Sequence, residues 1–362
     1  MSDLAEFHDE LRSVARDLLA PASPLVTGGE PGRVDLSQLA KAGWLGLDVP
    51  EANSGSGATF AEVAVVLEEI GRAAAATPML GAVLAVGALG AVEPSTARDR
   101  LLADIAEGEV RATVAVAAGD ECLGARPGCA IERDGGSVRL SGRVRFVPDA
   151  PEADRVLVVA DDPSSGPVLV EATPGVHVEV RPLPVVDATR SLGEVVATGA
   201  AVDPTRIWPL AVGLGPLADR AALAIAADAV GVAGAALDAT VAYAAERRQF
   251  GRPIGSFQAV KHACADVAVG LTISRRLVAD AVAATVAGSA DVGVAVSMAK
   301  AHAVETAVAA TGTALQLHGG IGYTWEHGLH VFVKRAALDR SLFGSPAAHR
   351  ARLARRYRMA AS

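Results

Sequence analysis

ERRQFGRPIGSFQAVKH, residues 246–262, gathers arginine, glutamine, lysine and histidine around two glycines and a proline, inside a region otherwise built of Ala, Val and Leu. Beyond the break, Phe257, Val260, Cys264, Val267 and Leu271 recur in steps of three and four, one apolar stripe that predicts a helix over 257–287. The same spacing predicts helices at roughly 211–247, 290–317, 326–341 and 346–358. A polar knot at the junction of two plain helices asks what it holds.

Upstream the pattern changes twice. LAEFHDELRSVARDLL and ATFAEVAVVLEEIGRAAAA are helical in period, separated by Pro50 and the run Asn53-Ser54-Gly55-Ser56-Gly57. Between them and the C-terminal helices lie RATVAVAA, SVRLSGRVRFV, DRVLVVA, GPVLVEA, VHVEV and GEVVATGAAV. These segments are Val-rich, about ten residues apart, and bounded by turns such as Asp134-Gly135-Gly136 and Pro174-Gly175. The expectation is an α+β chain in three parts: a helical domain (1–110), a central antiparallel β-barrel or sandwich (111–205) and a C-terminal bundle of four or five helices (206–362). No βα alternation occurs, which excludes a doubly wound sheet.

Composition bounds the function. The 362 residues are 51% hydrophobic and 20% charged, an ordinary globular balance. A net charge of −8 argues against nucleic acid as a main partner. Cys122, Cys129 and Cys264 lack metal-type spacing and read as reduced, in a cytoplasmic compartment. The charged, amphipathic N-terminus is unlike a secretory signal. Residues 77–93 are too short to span a membrane, and 221–245 are interrupted by Asp228 and Asp238. Both read as buried helices.

Gly319-Gly320-Ile321-Gly322 follows a long helical pattern, whereas a phosphate-cradling Rossmann loop follows a strand. The first glycine is therefore expected as a left-handed helix cap, and the run as bare backbone that a ligand can approach.

ERRQFGRPIGSFQAVKH together with QLHGGIGYTWEH (316–327) resembles the acyl-CoA dehydrogenase family, as does AGWLGLDVPEANSGSGATFAEVAVVLEEIGRAAAATP (42–78). The resemblance covers nearly the whole chain and includes the helix–strand–helix order. It implies that Arg247 lies against the pyrophosphate of an FAD bound mainly by a neighbouring subunit, with Gln258 hydrogen-bonding nearby. Gln316, Leu317, His318, Gly319 and Gly320 would pass close to the adenosine half. The chemistry fits: an arginine fork suits a diphosphate, and glutamine offers both donor and acceptor. Phe250 is expected to pack rather than stack. The bland alternative is a solvated basic face of Arg247 and Arg248 beside Glu246.

The family's reaction is α,β-dehydrogenation of a CoA thioester, in which a glutamate removes the α-proton while hydride passes to the flavin. The family seats that glutamate in one of two places, which correspond here to Phe343 or Gly344 and to Ala221. No Asp or Glu follows Asp339, and Asp219 lies about 200° around a helix from Ala221. The stretches that correspond to the family's flavin-ring loops read VAAGDECLG (116–124) and VRFVPDAP (144–151), without the expected hydroxyls. This pattern resembles the base-lacking chain of actinobacterial α2β2 dehydrogenases acting on steroid-derived CoA thioesters. It implies no catalytic residue in this chain, FAD shared with a catalytic partner subunit, a bulky acyl-CoA substrate, and an external electron acceptor such as an electron-transfer flavoprotein.

Two other readings stay open: a homo-oligomeric flavoenzyme using Asp187, Glu326 or Asp339 as base, and a non-enzymatic acyl-CoA-binding scaffold. His318, His327 and His330 are expected to pack rather than bind metal. Glu326 is expected to open the next helix. The arginines at 350, 352, 355, 356 and 358 are expected to form a solvated helix end.

Overall fold

A computed structural model describes residues 2–123, 127–134, 137–211 and 213–360; Gly124 and the Gly135-Gly136 turn lie outside them. The N-terminal part is helical: α1 (Ser2–Leu19), α2 (Pro24–Thr27), α3 (Leu36–Lys41), α4 (Phe60–Ala73), α5 (Met79–Gly90) and α6 (Thr96–Ala106). Local chemistry sets several starts. Asp35 with Gln38, and Thr59 with Glu62, each close a reciprocal capping box that satisfies orphan N–H groups at the starts of α3 and α4.

The middle part forms an eight-stranded sheet among the described residues: β1 (Ala112–Ala115), β2 (Cys129–Asp134), β3 (Ser137–Pro148), β4 (Arg155–Asp162), β5 (Gly166–Ala172), β6 (Val178–Pro182), β7 (Leu192–Ala201) and β8 (Ile207–Pro209). The order is β6-β7-β3-β2-β4-β5-β8, with β1 added alongside β4. Pairing is antiparallel except for β1–β4 and β2–β4. The path stays open, so the expected barrel does not close. β4 shows why its sequence is apolar throughout: Val156, Val158 and Ala160 face one core, while Leu157 and Val159 face the helices. The register shift in β3 between Val144 and Val147 contains Phe146, whose φ is +59°.

The C-terminal bundle comprises α7 (Gly215–Glu246), α8 (Gln258–Val286), α9 (Val292–His318), α10 (Leu329–Ser341) and α11 (Pro346–Ala360). Glu326 sits in a short 3-10 turn, Trp325–His327, ahead of α10 rather than inside it. α7 is long and apolar enough to cross a membrane by composition, but 89% of its most apolar window is buried in the fold. Alanine and glycine let it approach α4 closely. A Cβ on Gly71 would lie 2.0 Å from the Asp228 carbonyl oxygen, and one on Gly231 would lie 1.8 Å from that of Glu68. Each glycine thus admits the other helix's backbone.

Candidate functional site

The polar knot is a short, well-tied excursion between two helices. Arg247 leaves α7 in extended geometry; its N–H donates to the Tyr243 carbonyl at 2.9 Å, and its own carbonyl accepts from Ile254 N–H at 2.8 Å. Next, Arg248–Gln249 pairs antiparallel with Arg252–Pro253. Phe250 (φ +51°) and Gly251 (φ +78°) make the left-handed turn that a two-residue hairpin requires. Phe250 is 90% exposed and meets only the edge of Phe257, so the expectation that it packs fails within this chain. A hairpin tip faces outward because its strands are too short to fold back onto the bundle.

The side chains of Arg247 and Gln258 are exposed on this fixed backbone. Among the described residues, no ion pair engages Arg247, Glu246 included, whereas Arg248 donates to the Gly251 carbonyl at 3.1 Å. Gln258 opens α8, whose N-cap, Phe257, provides no side-chain acceptor. The first N–H groups of this 29-residue helix therefore have no side-chain cap.

The glycine run lies at the same end of the bundle. α9 stops at His318, and Gly319 takes φ +63° with ψ −141°, a region reserved for glycine and distinct from the left-handed cap expected there. The extended ψ turns the chain away from the helix axis instead of winding it back. Gly320 is exposed, and a Cβ there would meet nothing within 4 Å. Gln316 is exposed, Leu317 half-buried, and His318 buried. The His318 ring therefore faces inward: Nδ1 donates to the Ala314 carbonyl at 2.8 Å, and the ring stacks on Tyr243 at 4.3 Å. The Tyr243 hydroxyl donates to the His318 carbonyl at 3.4 Å. Sequence reading missed Tyr243, which joins the two motifs; its spacing one helical turn before Arg247 was the available signal.

At the turn between α10 and α11 the chain is sealed. Phe343 is fully buried with φ +54°, and its N–H donates to the Ala118 carbonyl at 2.6 Å. Ser345 donates from its N–H and hydroxyl to the two carboxylate oxygens of Asp120. Lys300 Nζ, fully buried, donates to the carbonyls of Asp339 and Gly344 at 2.8 and 3.1 Å. Burial pushes this lysine down to about 8 against the pull of Asp339. His349 Nε2 takes the Phe343 carbonyl at 3.0 Å, and burial holds its imidazole down at about 4. The segment 118–123 is thus latched directly onto 343–345.

Residues 2–109 match the model for the acyl-CoA dehydrogenase N-terminal domain, and residues 217–358 match that for its C-terminal domain. The chain belongs to the acyl-CoA dehydrogenase family. It is 36% identical to acyl-CoA dehydrogenase IpdE2 of Mycolicibacterium smegmatis over 306 residues, spanning 84% of this chain and 82% of that protein. Among solved structures, a variant of the Tcur3481-Tcur3483 steroid ACAD superposes with a TM-score of 0.87 at 31% identity, covering 99% of this chain and 100% of that one. The ChsE4-ChsE5 complex of Mycobacterium tuberculosis gives 0.85 at 28% identity over 96% of each chain.

Within this acyl-CoA dehydrogenase the alternative bases lie elsewhere. Ala221 is fully buried. Asp219 pairs with Arg352 through both carboxylate oxygens, and Arg220 reaches Asp48 at 2.6 Å. Glu326 is exposed in its 3-10 turn. Asp187 and Asp339 belong to a buried junction. There Arg335 binds both oxygens of Asp228 (2.9 and 2.6 Å), the Ala75 carbonyl and the Thr189 hydroxyl, joining α10 and α7 to the N-terminal part and the sheet. Arg190 bridges Asp228 and Asp339 at 3.2 and 3.3 Å. Burial would raise Asp228, but Arg335 and Arg190 hold it below the usual carboxylate range. Burial, and then Asp228 itself, push Asp339 well above that range.

Among the described residues no cluster of three potential metal ligands exists. His318 and His327 meet edge to face at 4.6 Å, and His330 does the same with Trp325 at 4.5 Å. The C-terminal arginines are only partly solvated: Arg350 pairs with Glu305, Arg352 with Asp219 and Arg356 with Asp291.

Proposed function

We propose that this chain is the base-lacking subunit of a heteromeric, FAD-dependent acyl-CoA dehydrogenase acting on a bulky, steroid-derived CoA thioester. The observation that carries the reading is the latch of 118–123 onto 343–345. It holds a buried phenylalanine and a glycine carbonyl at the positions that, by the resemblance, correspond to the family's proton-abstracting glutamate, and it ties to that turn a segment that corresponds to a flavin-ring loop.

The residues present fit one half of FAD and not the other. Arg247, Gln258, the uncapped start of α8 and the open Gly320 backbone combine a bidentate cation, free N–H donors and room for close approach, as a diphosphate and adenosine require. These groups, with Gln316, Leu317, His318 and Gly319, would complete a site whose flavin ring sits in the partner. In such a complex the bound FAD would supply the acceptor for the hydride lost from the thioester's β-carbon. The chain's own part is to hold the dinucleotide and keep a rigid wall beside it, with the α-proton left to a carboxylate of the catalytic subunit.

Val269, Ile273, Met298 and Val308 on α8 and α9 are exposed apolar side chains, a surface suited to a partner chain. The similarity to chains from the Tcur3481-Tcur3483 steroid ACAD and the ChsE4-ChsE5 complex supports both the steroid-derived substrate and the partnership. Electrons would leave to an external acceptor such as an electron-transfer flavoprotein.

The test is flavin counting. Purified alone, the chain is expected to be colourless and inactive; co-purified with a glutamate-bearing homologous subunit, it is expected to carry one FAD per pair of chains. A yellow isolated chain with one FAD per polypeptide that turns over a thioester would overturn the proposal.

A further inference from the structure

We infer that Tyr243 is a positioning residue for the dinucleotide site, setting Arg247 and the 316–320 turn at a fixed separation. This deepens the proposed function and rests on it. Tyr243 touches both motifs through different atoms. Its carbonyl accepts the Arg247 N–H at 2.9 Å, a helix bond that any residue here would make, so the tyrosine's own contribution is its side chain. Its ring lies on the His318 ring at 4.3 Å with the planes 21° apart, and its hydroxyl reaches the His318 carbonyl at 3.4 Å.

The placement follows from helix geometry. Tyr243 stands four residues before Arg247, hence one turn back on the same face of α7. The His318 carbonyl is one of the acceptors left over where α9 ends, so a phenol from the neighbouring helix closes it. His318 cannot turn toward a ligand: it is buried, donates to Ala314, and carries His327 against its other side at 4.6 Å. Burial lowers its affinity for a proton, so the ring stacks as a neutral aromatic. Tyr243 stacked on His318, with His327 edge to face against it, therefore forms an aromatic cluster at the end of α9. The Tyr243–His318 contact ties the end of α9 to the end of α7, while Gly320 stays open. Because the hydroxyl bond is long and the rings are close, the stack carries more of the effect than the hydroxyl.

The experiment uses the complex with the catalytic subunit, stripped of FAD and titrated with FAD by absorbance. Four variants are compared: Tyr243→Phe, Tyr243→Leu, Arg247→Ala and the double Tyr243→Leu/Arg247→Ala. Tyr243→Leu is expected to weaken FAD about tenfold, and Tyr243→Phe, which keeps the stack, less than threefold. The double variant is expected to lose less than the product of the two single losses, because both side chains serve one site at the same helix end. Wild-type affinity in Tyr243→Leu, or a double variant whose loss equals the product of the single losses, overturns the inference alone. An Arg247→Ala complex that binds FAD normally overturns the reading of the site as well. If Tyr243→Leu does not fold, the same cycle is run with Tyr243→Phe, and a loss equal to that of Arg247→Ala would show that the stack does not position the arginine.

Discussion

The rim around Arg247 and the turn around Phe343 belong to the same helical bundle and use polar groups in opposite ways. At the rim, the Arg247 backbone is tied to Tyr243 and Ile254 while the side chains of Arg247, Gln258 and Gln316 are exposed. At the turn, Lys300, His349, Asp120 and Ser345 are consumed in holding the chain to itself. A site built to meet an external group keeps donors free on a rigid frame; a site withdrawn from chemistry spends its donors internally. The difference teaches where to look for a ligand in this chain, and it can be broken by substitution.

The largest expected effect is Phe343→Glu, which restores an acid to the family's seat. The position is fully buried and the turn has no free cation to receive it, since Lys300 already serves two carbonyls. An unpaired buried carboxylate is expected to cost about 3–5 kcal/mol in urea denaturation and to yield no dehydrogenation. Unchanged stability would show that the turn is not a sealed core.

Lys300→Met follows. Stripping a donor from two buried carbonyls is expected to cost about 2–4 kcal/mol in the same assay.

Arg247→Ala sharpens the other half of the comparison. Stability of the isolated chain is expected to change by less than about 0.5 kcal/mol, whereas FAD binding to the complex weakens by about 1.5–3 kcal/mol. Full FAD occupancy in the variant, measured by absorbance, would remove the rim from the cofactor site.

His349 gives a pH dependence of at most about 1.4 kcal/mol per pH unit, about 3 kcal/mol in all. Its imidazole titrates at about 4 in the fold against an ordinary 6.5, so the unfolded chain binds the extra proton between those values. Stability is therefore expected to fall as the pH drops from 6.5 toward 4, and His349→Gln should flatten that part of the curve. The smallest effect is Gln258→Ala, expected to weaken FAD by about 0.5–1 kcal/mol with no change in chain stability; a large loss of stability would mean that the glutamine is not a free rim group.

Much of the architecture was legible because it is locally encoded. The apolar stripes of α8 and α9, the break at 247–257 and the Val-rich strands follow from periodicity. β2 was missed because Glu132, Arg133 and Asp134 give it no apolar alternation, and β8 because Pro209 ends it after three residues. The open sheet path depends on β1 and β2 each pairing parallel with β4, contacts that no single segment announces. At the site, the absence of any Asp or Glu after Asp339 was readable directly. The latch from 118–123 was not, because Ala118 and Asp120 meet Phe343 and Ser345 across more than half of the chain.

The amino-acid order by itself determined most of the helices and strands, the breaks between them, and that no Asp or Glu follows Asp339. These are matters of spacing and residue type. Only the tertiary structure decided that Arg335 and Lys300 lie buried among acids and carbonyls while Arg247 faces outward. A cation looks the same in a string of letters wherever it ends up. Its role is set by the dielectric and the partners that distant segments bring to it.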